Sequence, residues 1–224
     1  MPSVGRAASA IELGVHIMKA LLVTGQPSCG KTTLVKRLIE LAKDASSLPI
    51  SGFVTDEVVA GSSRIGFDVV SVSCEARGLL ARKGLKSRAK TGAYGVDVES
   101  FEKIALPLLA QGEGQPRIVV IDEVGRMEMH SAVFADTVRA LLDDEDVLLL
   151  GSVAAPRYGH VVPLAEEIKA RADVCTLHLK PSTRAEVMAQ AASELHKLLD
   201  GREGKGETTV QAKRRRRGTK ERAD

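Results

Sequence analysis

The 224-residue chain has no tryptophan, and aromatic residues make up only 3% of it. That scarcity argues against a row of stacking aromatics for single-stranded nucleic acid. It also leaves the core to Val, Leu, Ile and Ala, which dominate an apolar fraction of 44%. Cysteine is equally sparse: Cys29, Cys74 and Cys175 are far apart and odd in number. With no C-x-x-C pair, neither a zinc site nor a disulfide framework is indicated, and a reduced, intracellular setting is the simplest expectation. No apolar run reaches the 18 residues that a membrane-spanning helix needs, so no membrane partner is expected. The first 17 residues lack the basic-then-apolar order of a secretory signal and include Glu12. They read as a short extension before the fold rather than as a mitochondrial transit peptide.

Charge of either sign is nearly balanced, with a formal net of +3. The excess lies at the end: residues 202–224 hold nine Lys/Arg against four Asp/Glu, a net of +5, which leaves −2 for the rest. A basic isoelectric point is therefore no evidence that the body of the chain binds nucleic acid. Nucleic acid remains a partner only for the tail, whose Lys213–Arg217 run (KRRRR) reads either as a nuclear-localisation or polyanion-binding patch or as a solvated tail. The expected localisation is cytoplasmic or nuclear. The organisation expected is an extension over 1–17, one domain over 18–200, and a disordered basic tail over 201–224.

Along the chain, short apolar runs alternate with helical periodicity. Strands are expected at Ala20–Thr24, Ile50–Thr55, Ile65–Val72, Tyr94–Val98, Ile118–Ile121, Val147–Gly151 and Val174–Leu179. Helices are expected from Lys31 to Asp44, from a Ser100 cap to Leu109, and over Ser131–Leu142, Leu164–Ala170 and Thr183–Leu199. Gly61, Ser62 and Ser63 mark a hairpin turn. Residues 76–93, rich in Gly, Lys and Arg, read as a loose excursion. Central strands without polar alternation point to an α/β, three-layer P-loop fold with a mainly parallel sheet plus a β-hairpin.

Two segments carry chemistry. GQPSCGKT, from Gly25 to Thr32, has the G-x-x-x-x-G-K-S/T spacing, preceded by a strand and opening a helix. Phosphates need many donors in a small volume. A loop of inward-pointing N–H groups and a helix N-terminus provide them, and glycine permits close backbone approach. Lys31 can reach the β- and γ-phosphates, and the Thr32 hydroxyl can hold Mg²⁺. Cys29 within the loop reads as a small residue rather than a redox centre.

The second segment is the apolar strand IVVI ending in Asp122 and Glu123. Acids at the carboxyl end of a strand in such a sheet lie at the ligand crevice. Asp122 suits the metal shell, and Glu123 is placed to orient and deprotonate a water aimed at the γ-phosphate. Arg126 either touches phosphates or pairs with an acid, and Arg64 beside the hairpin turn is a candidate phosphate contact. His130 reads as a helix-start residue. His16, His160 and His178 stand alone and are assigned no chemistry.

Together these residues resemble the cancer-related nucleoside-triphosphatases and their THEP1-type relatives. The resemblance runs from about Met18 to Glu194 and rests on GQPSCGKTTL, on GFVTDEV with RIGFDVV, on GAYGVDVESFEKIALPLL, and on IVVIDEVGRMEMHSAVF. PLAEEIKARADV, from Pro163 to Val174, resembles the family's closing segment. The resemblance implies a monomer that slowly hydrolyses several NTPs, ATP and GTP among them, to NDP and phosphate with Mg²⁺. Carried over by position, the nucleotide would be held by Gly25, Gln26, Pro27, Ser28, Cys29, Gly30, Lys31, Thr32 and Thr33. Val119, Val120, Ile121, Asp122, Glu123, Val124, Gly125 and Arg126 would form the second contact segment. Two positions depart from the family: Ser28 stands where glycine is usual, and Val59 where an arginine is common. The alternatives are a nucleotide or nucleoside kinase with residues 77–90 as its lid, or a nucleotide-gated module whose tail binds RNA or a partner.

Overall fold

The computed structural model describes residues 18–220, with side chains as far as Arg202. The proposed extension over 1–17 lies outside the described residues. Nine strands form one sheet: β1 (Ala20–Gly25), β2 (Ile50–Ala60), β3 (Ser63–Ser71), β4 (Arg77–Lys83), β5 (Lys90–Thr91), β6 (Tyr94–Val96), β7 (Arg117–Val124), β8 (Val147–Ala154) and β9 (Val174–His178). Five helices accompany them: α1 (Lys31–Ala45), α2 (Val98–Ala110), α3 (Ala132–Asp143), α4 (Pro163–Lys169) and α5 (Arg184–Lys220).

The strand order is β5-β6-β4-β3-β2-β7-β8-β1-β9. From β2 to β9 every pairing is parallel, and these strands are the apolar runs of the sequence, buried on both faces. From β2 to β5 every pairing is antiparallel. The two faces carry separate cores. Leu34, Val35 and Leu38 of α1 and Ala191 and Leu195 of α5 pack with Leu21, Val23, Val120 and Leu150 on one face. On the other, α2, α3 and α4 pack over Leu22, Phe53, Val119 and Leu149. Phe53, Phe101 and Phe134 meet there with ring centroids 5.2–5.9 Å apart, joining β2, α2 and α3. Each such contact adds about 0.5–1.5 kcal/mol beyond area burial. The expected three-layer fold is present.

Three local expectations are corrected. The hairpin is part of a larger antiparallel wing, because residues 77–83 form β4 rather than a loose excursion. Arg77 and Arg82 both pair with Asp68 across the ladder, and Leu80 and Ala81 are buried beneath them. Opposite charges on adjacent strands convert a basic segment into a stable one, and the same pairing withdraws these arginines from the lid role. Helix α2 is capped by Asp97, whose side chain accepts from the Ser100 N–H at 3.0 Å. Ser100 is thus the third residue of that helix, not its cap. Helix α5 continues past Leu199 to Lys220 and takes in the basic run.

Candidate functional site

The P-loop joins β1 to α1 at the carboxyl end of the parallel strands. The turn is built around Gly30, whose φ of +108° lies in the left-handed region. Ser28 also has a positive φ, +63°, which costs a non-glycine residue about 1–2 kcal/mol. The departure from the usual glycine is therefore conformationally real: serine occupies glycine's backbone region. Cys29 is buried at 3% exposure within the α1/α5 core, and its carbonyl accepts from Arg184 Nε at 2.8 Å. The loop's shape is thus tied to the start of α5. Gln26 bonds the Pro156 carbonyl at 3.1 Å, bracing the loop against the segment after β8. Pro27 and Ser28 face a cavity, and Thr33 is exposed at the first turn of α1.

Lys31 Nζ donates to the Gly25 carbonyl at 3.1 Å and lies 3.2 Å from Glu123 Oε2. The two groups assigned to phosphate and water therefore meet across a single gap. Asp122 is 1% exposed. Ser152 donates to its Oδ1, and Oδ2 makes no hydrogen bond of ordinary geometry, although the Thr32 hydroxyl lies near enough to pull the carboxyl's pKa down. Burial nevertheless dominates and pushes Asp122 up to about 6, with the Glu123 charge adding to the rise and Lys31 opposing it. An unpartnered buried carboxylate oxygen beside a threonine hydroxyl suits a hard cation with oxygen ligands. Among the described residues, no cluster of three His, Cys, Asp or Glu side chains could hold a metal unaided. An ion here would share its coordination with phosphate oxygens.

Val119, Val120, Ile121 and Val124 are fully buried within the two cores and line neither of the two cavities beside the loop. Their side chains anchor the strand that carries Asp122 and Glu123 to the carboxyl end of the parallel sheet. Gly125 has a geometric reason to be glycine. A Cβ there would come within 2.6 Å of Glu123 Oε1 and 2.9 Å of Glu128 Oε2. Sequence reading passed over Glu128. It is 3% exposed, and burial, reinforced by the Glu123 charge, pushes its carboxyl up to about 8. Two carboxyl groups thus converge over Gly125, and the buried one holds its proton at neutral pH.

Two cavities flank the loop. One, of about 500 Å³, runs along the start of α1 and is bounded by Gly30, Thr33, Leu34, Leu179, Arg184 and Met188. The other, of about 330 Å³, holds Glu123 and Glu128 and opens toward the antiparallel wing. Arg64 lines the second, but its guanidinium is engaged by Glu57 and lies 5.0 Å over the Phe67 ring. Arg126 lines it as well, and among the described residues its side chain has no carboxylate partner. His130 sits 3.1 Å from both Thr91 Oγ1 and the Lys90 carbonyl, fastening β5 to the turn that carries Glu128. It is a brace as well as a residue near a helix start. Arg184 was also missed, since nothing local signals a contact with Cys29 formed across 155 positions of sequence.

The sheet order, the glycine-shaped loop before α1 and the acids at the end of β7 define an α/β P-loop protein with a nucleotide-phosphate site. A family model described as NTPase matches residues 20–192, and the chain belongs to that family. It is 41% identical to the human cancer-related nucleoside-triphosphatase over 174 residues, 73% of this chain and 90% of that one. It is 33% identical to nucleoside-triphosphatase THEP1 of Thermotoga maritima over 176 residues, 78% and 94% of the two chains. Among solved structures, the human cancer-related nucleoside triphosphatase aligns at a TM-score of 0.69 with 36% identity, covering 80% of this chain and 98% of that one. Aquifex aeolicus THEP1 aligns at 0.67 with 29% identity, covering 79% and 98%.

Proposed function

We propose that the chain is a Mg²⁺-dependent nucleoside-triphosphatase that cleaves ATP, GTP and other NTPs slowly to NDP and phosphate. The observation that carries this reading is the 3.2 Å approach of Lys31 to Glu123 across the P-loop. A γ-phosphate held by Lys31 lies beside a carboxylate that can take a proton from water. The triphosphate then runs from Glu123 along the start of α1, and its nucleoside enters the cavity bounded by Thr33, Arg184 and Met188. The apolar lining contributed by Leu179 and Met188 suits a base without reading its edge, which supports broad base preference.

Backbone N–H groups of Gly25–Thr32 and the α1 N-terminus bind the phosphates. Lys31 neutralises charge on the β- and γ-oxygens. Thr32 and, through water, Asp122 would hold Mg²⁺, which when bound adds further neutralisation of the phosphate charge. Glu123 orients the water and accepts its proton, and Glu128, protonated, caps the far side of Glu123. Arg126 faces the same space and supplies positive charge toward the γ-phosphate.

The experiment follows free phosphate from Mg-ATP and Mg-GTP with the full chain. Release by the parent and its abolition in Lys31→Ala are expected. Unaltered release by Lys31→Ala would overturn the assignment, as would equal release with and without divalent metal. Deleting residues 202–224 should leave turnover unchanged, which treats the basic end as an appendage to an intracellular enzyme.

A further inference from the structure

The second cavity begins at the phosphate cradle, where Gly25, Lys31 and Thr32 line it, and extends beyond it to side chains that the hydrolysis just described leaves without a role. It measures about 330 Å³ and reaches from the P-loop and Glu123 to Phe67, Tyr94 and Met127. A water needs roughly a tenth of that volume. The space falls instead in the range of small-molecule sites. Its wall is mixed in a specific way. Phe67 and Tyr94 stand edge to face with centroids 5.4 Å apart, and Leu80 and Met127 extend the apolar surface. Arg126 and Arg157 also line the cavity, neither paired with a carboxylate among the described residues, with the Arg157 guanidinium 5.0 Å over the Tyr158 ring. By contrast, Arg77, Arg82, Arg117, Arg139 and Arg171 all hold acidic partners. An aromatic wall favours a planar ring, and two guanidinium groups without carboxylate partners favour phosphate oxygens.

We propose that this cavity is an acceptor site for a nucleoside monophosphate, and that the enzyme transfers the γ-phosphoryl group to it when it is present. The proposal rests on the reading that the P-loop takes the triphosphate. In the transfer, an oxygen of the monophosphate forms the new P–O bond. The bond between the γ-phosphorus and the β,γ-bridging oxygen breaks, and its electrons stay with the departing diphosphate. One NTP and one NMP give two NDPs, with no net proton or electron to supply. The unpaired charges of Arg126 and Arg157 would offset repulsion between the two phosphates, and Phe67 and Tyr94 would hold the acceptor's base. Water is then the acceptor of last resort in the same gap.

The test uses the full chain with Mg²⁺ and γ-labelled ATP, with AMP, GMP, CMP or UMP added singly, and separates labelled NDP from labelled phosphate. Labelled NDP that saturates with at least one monophosphate is expected. Arg157→Ala should raise the KM for that monophosphate at least tenfold while acceptor-free phosphate release stays within twofold. Arg157→Lys should restore part of the loss, and Tyr94→Leu should weaken the acceptor as well. Phosphate release with no labelled NDP from any of the four would overturn the proposal and leave the hydrolase reading standing. A monophosphate that only competes with ATP for hydrolysis would also overturn it, because the ligand would then occupy the P-loop. Loss of phosphate release and transfer alike in the parent would overturn the hydrolase reading itself.

Discussion

The two ends of the parallel strands treat charge in opposite ways. At the amino end, most charged side chains have partners in place, Arg202 being the exception, bonded only to the Glu145 and Val147 carbonyls. Arg117, 2% exposed, lies 3.2 Å from Asp144; Arg171 pairs with Asp143 and Asp173; and Lys19 donates to the Asp144 carbonyl at 2.9 Å. The Arg171 pairing holds Asp173 below the usual carboxylate range. At the carboxyl end, Asp122 and Glu128 are buried without cations, and both are pushed upward. Arg126 and Arg157 line the same space, without carboxylate partners among the described residues. One end pairs most of its charges within the fold. The other leaves charges open to a ligand, and perturbed groups concentrate at such sites.

The largest way to break this contrast is Glu123→Gln, which keeps shape and removes the base. Turnover is expected to fall about 10²–10⁴-fold with little change in Tm, as single-turnover phosphate release and thermal melts would show. Normal turnover would place the base elsewhere. Gly125→Ala comes next. Its Cβ would push both Glu123 and Glu128 aside, and roughly a tenfold to hundredfold loss of kcat is expected with far-UV circular dichroism preserved.

At the amino end, Arg117→Met keeps volume and removes the ion pair. A stability loss of about 1–3 kcal/mol in urea unfolding is expected, with kcat within twofold of the parent. A large activity loss would blur the division between the two ends. The smallest and sharpest test is Glu128→Gln, read as pH-dependent stability. Glu128 binds its proton more tightly folded than unfolded, because its pKa rises from 4.5 to about 8. Its contribution is therefore complete below about 4.5 and is lost as pH rises through about 8. The parent should weaken relative to Glu128→Gln between those values, so the difference in urea midpoint at pH 5, 7 and 9 should drift steadily in the variant's favour. A constant difference would mean that Glu128 is not buried protonated.

Much of this contrast was legible in the sequence. The P-loop spacing placed Lys31 and Thr32, and the apolar run IVVI placed Asp122 and Glu123 at a strand end, because backbone geometry ties these residues to their elements. Glu128 was not legible, since its position says nothing of burial; its flanking Met127 and Met129 were the available hint. Arg157 and Arg184 matter through contacts that only the folded chain creates. Strand β4 is not legible from its own segment, which is basic, because the acids that neutralise it, Asp56 and Asp68, sit on β2 and β3. Local composition reports a segment's own charge and cannot report its neighbour's.

The contact between Lys31 and Glu123 has a consequence for affinity. Before a triphosphate enters, these two opposite charges satisfy one another. Entry is thus an exchange of partners rather than a simple gain: Lys31 must leave the carboxylate for phosphate, and the carboxylate is left facing an anion. The measured dissociation constant is net of that separation. Removing the carboxylate charge should free the lysine in advance, so Glu123→Gln, the variant that turns over least, is expected to hold its nucleotide more tightly than the parent.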